Sequence, residues 1–365
     1  MRLLDKEAVE KISIGAAFLG TGGGGDPYIG KLMALSAIKK HGPVKLISVD
    51  EVEEDGVYLP SASMGAPSIL LEKFPAGDEF IKTFEKLSNF LGVEEISGTF
   101  PMEAGGVNSM IPIAVAASTG LPVVDVDGMG RAFPELQMTT FHLGGKTVSP
   151  MTMADEKGNN VVYETIDNIW AERIARVVTS EMGGSSLVSL YPSTGADLKE
   201  VGIQNIVTLS EKIGRIISSD ESTEARLEKL LAETHGVELM SGKIIDISRT
   251  VKNGFNFGEI KIEGYDQYEN SQMTVYFQNE YLVASKDGEI VVTTPDLITL
   301  VEVDTLEPAT SDSLKYGKRV RVLGLPADKK WKTELGIKTV GPRYFGYDFD
   351  YKPIEELNKE VSVNE

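Results

Sequence analysis

The stretch VVDVDGMGRAFPE, residues 123–135, concentrates residue types that do chemistry. Asp125 and Asp127 lie two apart at the end of an apolar run, so strand alternation aims both to one face. A turn opening at Gly128 can swing Asp127 away from that face. Arg131 follows, and Glu135 stands four residues beyond it. In this pattern one carboxylate can act as a general base or metal ligand, and the guanidinium can bind an anion or a carbonyl oxygen. The alternative is a strand-end turn closed by an Asp–Arg pair. Asp127 is the favoured base. Gly128 and Gly130 let backbone approach a ligand there, and Met129 and Phe133 can form an apolar slot. Desolvation by those two side chains should raise the Asp127 pKa and Arg131 should lower it, leaving it ionised near neutral pH. Asp125 is expected to matter more for loop geometry and stability.

Three more polar, glycine-rich loops interrupt apolar elements: GTGGGGDP (20–27), SMGAPS (63–68) and MEAGGVNS (102–109). The third offers Glu103, which can contact a polar ring or serve as a further catalytic carboxylate. It also offers Asn108, which can hold ring heteroatoms or cap the Ala-rich helix that follows. His142 in TTFHLGGK is expected near the same crevice. The four consecutive glycines Gly22, Gly23, Gly24 and Gly25 raise the question of a phosphate loop. Nucleotide-binding glycine loops sit between a strand and a helix. Here the loop falls between two helices and no Lys-Ser/Thr pair follows, so no nucleotide is expected. Either it is a tight crossing where only glycine fits, or its N–H groups and the next helix N-terminus receive an anion such as a substrate carboxylate.

The elements that must position these loops follow from periodicity. Asp5 caps a first helix carrying Val9, Ile12, Ala16 and Leu19 on one face, and Asp26-Pro27 opens a second. Strands are read at VKLISVDEV and GVYLPSASMG, and a helix through Phe80, Phe84 and Leu87. An Ala-rich helix ends at Gly120, before a buried strand that leads into 125–135. Strands alternating with helices indicate an α/β fold with a layered amino-terminal α/β domain, residues 1–165, whose strand-end loops converge in one crevice. The carboxy-terminal domain, 166–365, is read as helical over 166–236, beginning with an amphipathic helix through Ile166, Ile169, Trp170, Ile174 and Val177. An antiparallel β module over 237–350 follows, with hairpin signals at Asn253-Gly254 and Asp287-Gly288. An acidic tail ends the chain.

Composition narrows the function. The 365 residues carry a net charge of −19, which repels phosphate backbones and anionic lipids, so neither nucleic acid nor membrane is an expected partner. There is no cysteine, which excludes disulfides, thiolate metal sites and a Cys nucleophile. No apolar run is long enough to cross a bilayer, and the amino terminus lacks a signal core, so a cytoplasmic protein acting on a small molecule is expected. With three histidines, a site built from several imidazoles is disfavoured. A divalent metal remains open, held by Asp125, Asp127, Glu103 and His142; oxygen-rich ligands would suit Mg or Mn.

The motifs LGTGGGGDPYIG, SMGAP, EAGGVN, GLPVVDVDGMGRAFPELQM, TPDLI, YGKRVRVLGLP and VGPRYFGYDFD occur in this order from about residue 8 to 350. In them the chain resembles the S-methyl thiohydantoin desulfurase-like family, whose members accompany hydantoinase/oxoprolinase-type proteins. The resemblance implies an amino-terminal α/β domain and a β-rich carboxy-terminal domain. It also implies hydrolysis of the thiomethyl group from S-methyl thiohydantoins, giving a hydantoin and methanethiol. It implies no particular catalytic residues. Two other readings stay open: a metal-dependent cyclic-amide hydrolase, and a non-catalytic subunit of a hydantoinase-type partner, which an exposed apolar patch would favour. A homo-oligomer is equally open.

Overall fold

A computed structural model describes residues 1–65, 69, 78–252 and 254–358. Strand β1 (Arg2–Leu4) leads into α1 (Lys6–Leu19), capped by the Asp5 carboxylate on the Ala8 N–H. After the glycine loop comes α2 (Pro27–His41), then β2 (Val44–Ile47), β3 (Val57–Tyr58), β4 (Ser61–Gly65), α3 (Asp78–Leu91) and α4 (Ile111–Thr119). Next are β5 (Val123–Val124), β6 (Val126–Asp127), α5 (Thr140–Leu143), β7 (Met151–Ala154), β8 (Asn160–Tyr163), α6 (Asn168–Glu181) and β9 (Ser185–Ser189). They are followed by β10 (Ser193–Thr194), α7 (Gly195–Val201), β11 (Ile203–Gln204), α8 (Ile206–Ile217) and α9 (Thr223–Thr234).

The remaining strands are β12 (Val237–Lys252), β13 (Phe255–Gly264), β14 (Gln272–Gln278), β15 (Glu280–Lys286), β16 (Glu289–Thr293), β17 (Leu297–Glu302) and β18 (Arg319–Leu325). They form one antiparallel sheet in the order β16-β15-β14-β13-β12-β18-β17. The chain closes with α10 (Glu334–Val340) and α11 (Ile354–Leu357). The fold is α/β, with mixed layers first and a β-rich second half. Of the sequence signals, the 66–68 part of SMGAPS, Asn253 and the tail from 359 lie outside the described residues.

Three features position the site. The apolar run at 123–127 is not one strand. It breaks at Asp125, so that β5 pairs parallel with β2 while β6 pairs antiparallel with β11. Segment 166–236 adds β9 between β4 and β7, and lays α8 on α1. That helix contact is backbone-close: a Cβ on Gly15 would lie 1.8 Å from the Ser210 carbonyl oxygen, and one on Gly214 1.9 Å from that of Lys11. The principal apolar core therefore joins Val9, Ile12, Phe141, Ala175 and Ile213 with Leu297, Leu325 and Trp331 from the far end of the chain. The β sheet keeps a second core of its own, around Ile260, Val275 and Val322.

The glycine loop is the clasp between the two halves. The Tyr281 N–H donates to the Thr21 carbonyl at 2.7 Å, Ser311 N–H to Gly22 at 2.9 Å, and Val107 N–H to Gly24 at 2.8 Å. Gly24 has φ +73°, and a Cβ there would meet the Gly105 Cα at 2.4 Å. Both the conformation and the space require glycine. Gly24→Ala is expected to destabilise the chain by more than ~1 kcal/mol, read as a lower denaturation midpoint with an unchanged slope. At the α2 N-terminus Asp26 accepts the Tyr28 N–H at 2.8 Å, so one of the free helix N–H groups is already capped by a carboxylate.

Candidate active site

A cavity of about 100 Å³ opens where the glycine loop, β4, the loops at 102–108 and 129–136, α6, β9 and the start of β15 meet. That is well above the ~10–15 Å³ needed for one water. Its walls are largely apolar and include Met64, Met102, Met129, Phe133, Val188 and Leu190. Four ionisable side chains line it: Glu103, Glu135, Arg176 and Glu280.

Glu103 and Glu280 are buried. Asn108 Nδ2 donates to Glu103 Oε1 at 2.6 Å. The same amide spans β4 by donating to the Ser63 carbonyl at 3.2 Å and accepting the Ser63 N–H at 2.8 Å. Burial pushes the Glu103 carboxyl up to about 7 against the pull of Asn108 and the Phe133 N–H. Glu280 follows Asn279, which turns the β14–β15 hairpin in the left-handed region at φ +60°. Its Oε1 rests against Gly23, where a Cβ would lie 2.0 Å away, and its Oε2 is buried with no hydrogen-bond partner among the described residues. Burial, and then the charge of Glu103, drive the Glu280 pKa well above the carboxylate range, with Arg131 and Arg176 opposing. Two buried carboxyls thus share one largely apolar cavity, both with pKa values raised by burial and each raising the other's cost of ionisation.

Arg176 forms part of the rim. It donates to Glu172 Oε1 through Nε at 2.8 Å and to the Pro134 carbonyl through Nη2 at 3.0 Å, and it stacks 4.3 Å over Phe255. Glu135 accepts the Tyr344 hydroxyl at 2.6 Å, so the aromatic stretch at 341–351 buttresses the rim from outside. Among the described residues, no group of three or more His, Asp or Glu is arranged to hold a metal ion. None of the described helices is long and apolar enough to cross a membrane.

The family model described as S-Me-THD-like, N-terminal domain, matches residues 7–165, and that described as S-Me-THD-like, C-terminal domain, matches 166–354. The chain belongs to the S-Me-THD-like family. An X-ray crystal structure of a protein from Chromobacterium violaceum, a structural genomics target, superposes on it with a TM-score of 0.83 at 21% identity, covering 97% of this chain and 100% of that one. At that identity the likeness is one of fold. No curated protein matches the chain.

In this S-Me-THD-like chain the sequence-derived site residues divide. Glu103, Asn108, Met129, Phe133, Gly24 and Gly25 line the cavity; Gly22 and Gly23 face a separate polar cleft with Asp312 and Ser313. Asp125, Asp127, Arg131 and His142 do not line this cavity. Asp125 caps α8 from outside, accepting the Val207 N–H at 2.8 Å and the Thr208 N–H at 3.2 Å, where Asn205 provides no side-chain cap. Asp127 folds onto its own turn, accepting from Gly130 N–H at 2.9 Å and Met129 N–H at 3.2 Å. Its pKa is raised well above normal, first by burial and further by Glu103 and Asp328, against the pull of the Gly130 and Met129 N–H groups.

Arg131 is fully buried and spends its fork on five bonds. Its acceptors are the carbonyls of Ala132, Pro295, Asp296 and Tyr281 and the Thr21 hydroxyl. Burial lowers it to about 10, which leaves it cationic. It thus fixes the strand that carries Glu280 against the glycine loop. His142 Nδ1 pairs with Asn168 at 2.9 Å, away from the cavity, and burial lowers its pKa. Asn108 does not cap α4, and both ends of its amide are occupied, so it positions Glu103. Asp125→Ala is accordingly expected to cost about 1–2 kcal/mol of stability, as loss of a helix cap does, with kcat unchanged; thermal melting and steady-state rates check the two halves of that statement.

Proposed function

We propose that this chain hydrolyses S-methyl thiohydantoin-type rings, with Glu103 as general base and Glu280 as general acid. The reading rests on two buried carboxyls, Glu103 and Glu280, that line one cavity with Met64, Met102 and Met129, Glu280 with its Oε2 unpartnered among the described residues and both pKa values raised by burial. Membership of the S-Me-THD-like family supports the substrate class. Polarisable thioethers make a fitting wall for an S-methyl group.

In the substrate the reacting ring carbon is bonded to two nitrogens, one by a double bond, and to sulfur. Glu103 takes a proton from water as the water oxygen bonds to that carbon, and Glu280 gives its proton to the doubly bonded nitrogen. The resulting tetrahedral centre holds hydroxyl, S-methyl and two ring nitrogens. On collapse, Glu280 recovers a proton from the hydroxyl as the carbonyl forms. The carbon–sulfur bond breaks, and Glu103 delivers its proton to the departing sulfur. One water enters, one methanethiol leaves, and both carboxyls return to their starting states. Neutral Glu280 also avoids placing a second negative charge beside the attacking oxygen.

The test is incubation of the pure chain with S-methyl thiohydantoin, an unsubstituted hydantoin and 5-oxoproline, each with and without chelator, following thiol release and ring opening. Thiol release from the first substrate alone is expected. Ring opening of the second or third, abolished by chelator, would favour a metal-dependent cyclic-amide hydrolase instead.

A further inference from the structure

Helix α6 lies inside out. Its buried residues are Asn168, Ala171, Glu172, Ala175 and Thr179, while Ile169, Trp170, Ile174 and Val177 face outward. Ile166, just before the Asp167 cap, is 88% exposed, Trp170 46% and Val177 65%. An amphipathic helix normally buries such a stripe. The small inward residues let α6 sit close to the core, and Glu172 turns inward to accept the Leu136 N–H. From Ile169 to Val177 the stripe runs about 12 Å along the axis at 1.5 Å per residue, with Ile166 extending it ahead of the cap, and an exposed apolar surface of this kind marks an interaction site.

Charge and spacing indicate what covers it. With a net charge of −19, two copies of this chain meet carboxylate against carboxylate over much of their surfaces. From 168 to 180 the outward stripe carries no carboxylate, since Glu172, the one acid there, is buried. Its charge is Arg173, which stacks 5.4 Å over the Trp170 ring. Positions 170, 173 and 177 are spaced by three and four, as in an interhelical seam, and Ile166, in the turn before the helix, stands four residues ahead of them. That series reads the same from either end. Two copies related by a twofold axis and packed antiparallel set Trp170 against the partner's Arg173 and Val177 against the partner's Ile166, each contact occurring twice, as an isologous interface requires. Arg173 then has an aromatic face on each side of the axis.

We propose that the outward face of α6 is a homodimer interface, formed by antiparallel pairing through Ile166, Trp170, Arg173 and Val177. Arg176 and Glu172 lie on the other side of the same helix, so the interface backs directly onto the cavity rim.

The test uses the full chain in sedimentation velocity over a concentration series. A concentration-dependent dimer is expected, and Val177→Asp and Trp170→Glu should each weaken it by at least ~10-fold while the far-ultraviolet circular dichroism stays that of the folded wild type, since both side chains are exposed. The chain has no cysteine of its own, so introduced ones are unique. Ile166→Cys and Val177→Cys chains, mixed under mild oxidation, should form a disulfide-linked heterodimer. Neither alone should cross-link, because in this register like positions are ~16 Å apart. A monomer at every concentration would overturn the proposal. Dimers indifferent to both substitutions, or equal cross-linking in the single-variant samples, would also overturn it.

Discussion

Glu103→Gln is expected to slow thiol release by ~100- to 10,000-fold, the range general-base catalysis supplies, while the protein melts at the same temperature or higher above pH 7. The side chain keeps its shape and its bond from Asn108 but can no longer take a proton from water. The stability effect follows from linkage. The folded-state pKa of Glu103 is about 7 against an ordinary 4.5, so the folded chain holds this proton more tightly than the unfolded chain. The stabilisation is complete below pH 4.5, fades as pH rises through 7, and above that leaves an ionised carboxylate buried at a net cost. Glutamine has no such cost, so the stability gap between variant and wild type opens over that window. Wild-type kcat/KM should rise with pH through about 7, as Glu103 ionises.

Glu280→Gln should cost at least ~100-fold in turnover through the opposite defect, since an amide can hydrogen-bond to the ring nitrogen but cannot give it a proton. It should leave the rise of the pH profile near 7 in place, since that rise belongs to Glu103, and flatten any fall on the high-pH side, since the Glu280 pKa is raised by burial. A merely structural glutamate would show neither selectivity. The profile therefore separates a lost acid from a loosened hairpin, and equilibrium denaturation of the variant provides the independent check on folding.

The convergence of the loops was legible in the sequence, and so were most of the helices and the antiparallel second half. The helix-flanked glycine loop, the caps at Asp5 and Asp26 and the hairpins rest on local turn chemistry that survives in the fold. The roles of the carboxylates in 125–135 were not legible. A carboxylate that serves backbone N–H groups has the same composition as one that serves a substrate, and in this fold Asp125 and Asp127 both accept backbone N–H groups. Arg131 looked like an anion binder because its acceptors, the carbonyls at 281, 295 and 296, are far away in sequence.

Glu280 was missed for the same reason: it lies more than a hundred residues from every loop it joins. Its one local signal is a glutamate opening the buried run EYLVA directly after Gln-Asn, an acid where alternation leaves no solvent. Helix α6 shows a third limit. Periodicity reveals that a helix has an apolar face, but not whether that face meets the core or another molecule.

The most direct measurement is single-turnover reaction of S-methyl thiohydantoin in ¹⁸O-labelled water, followed by mass spectrometry of the ring product and assay of methanethiol. One ¹⁸O in the hydantoin carbonyl and one methanethiol per ring are expected, and neither above the buffer blank when Glu103→Gln and Glu280→Gln are combined. Thiol release that persists in the double variant, or none from the wild type, would contradict this mechanism.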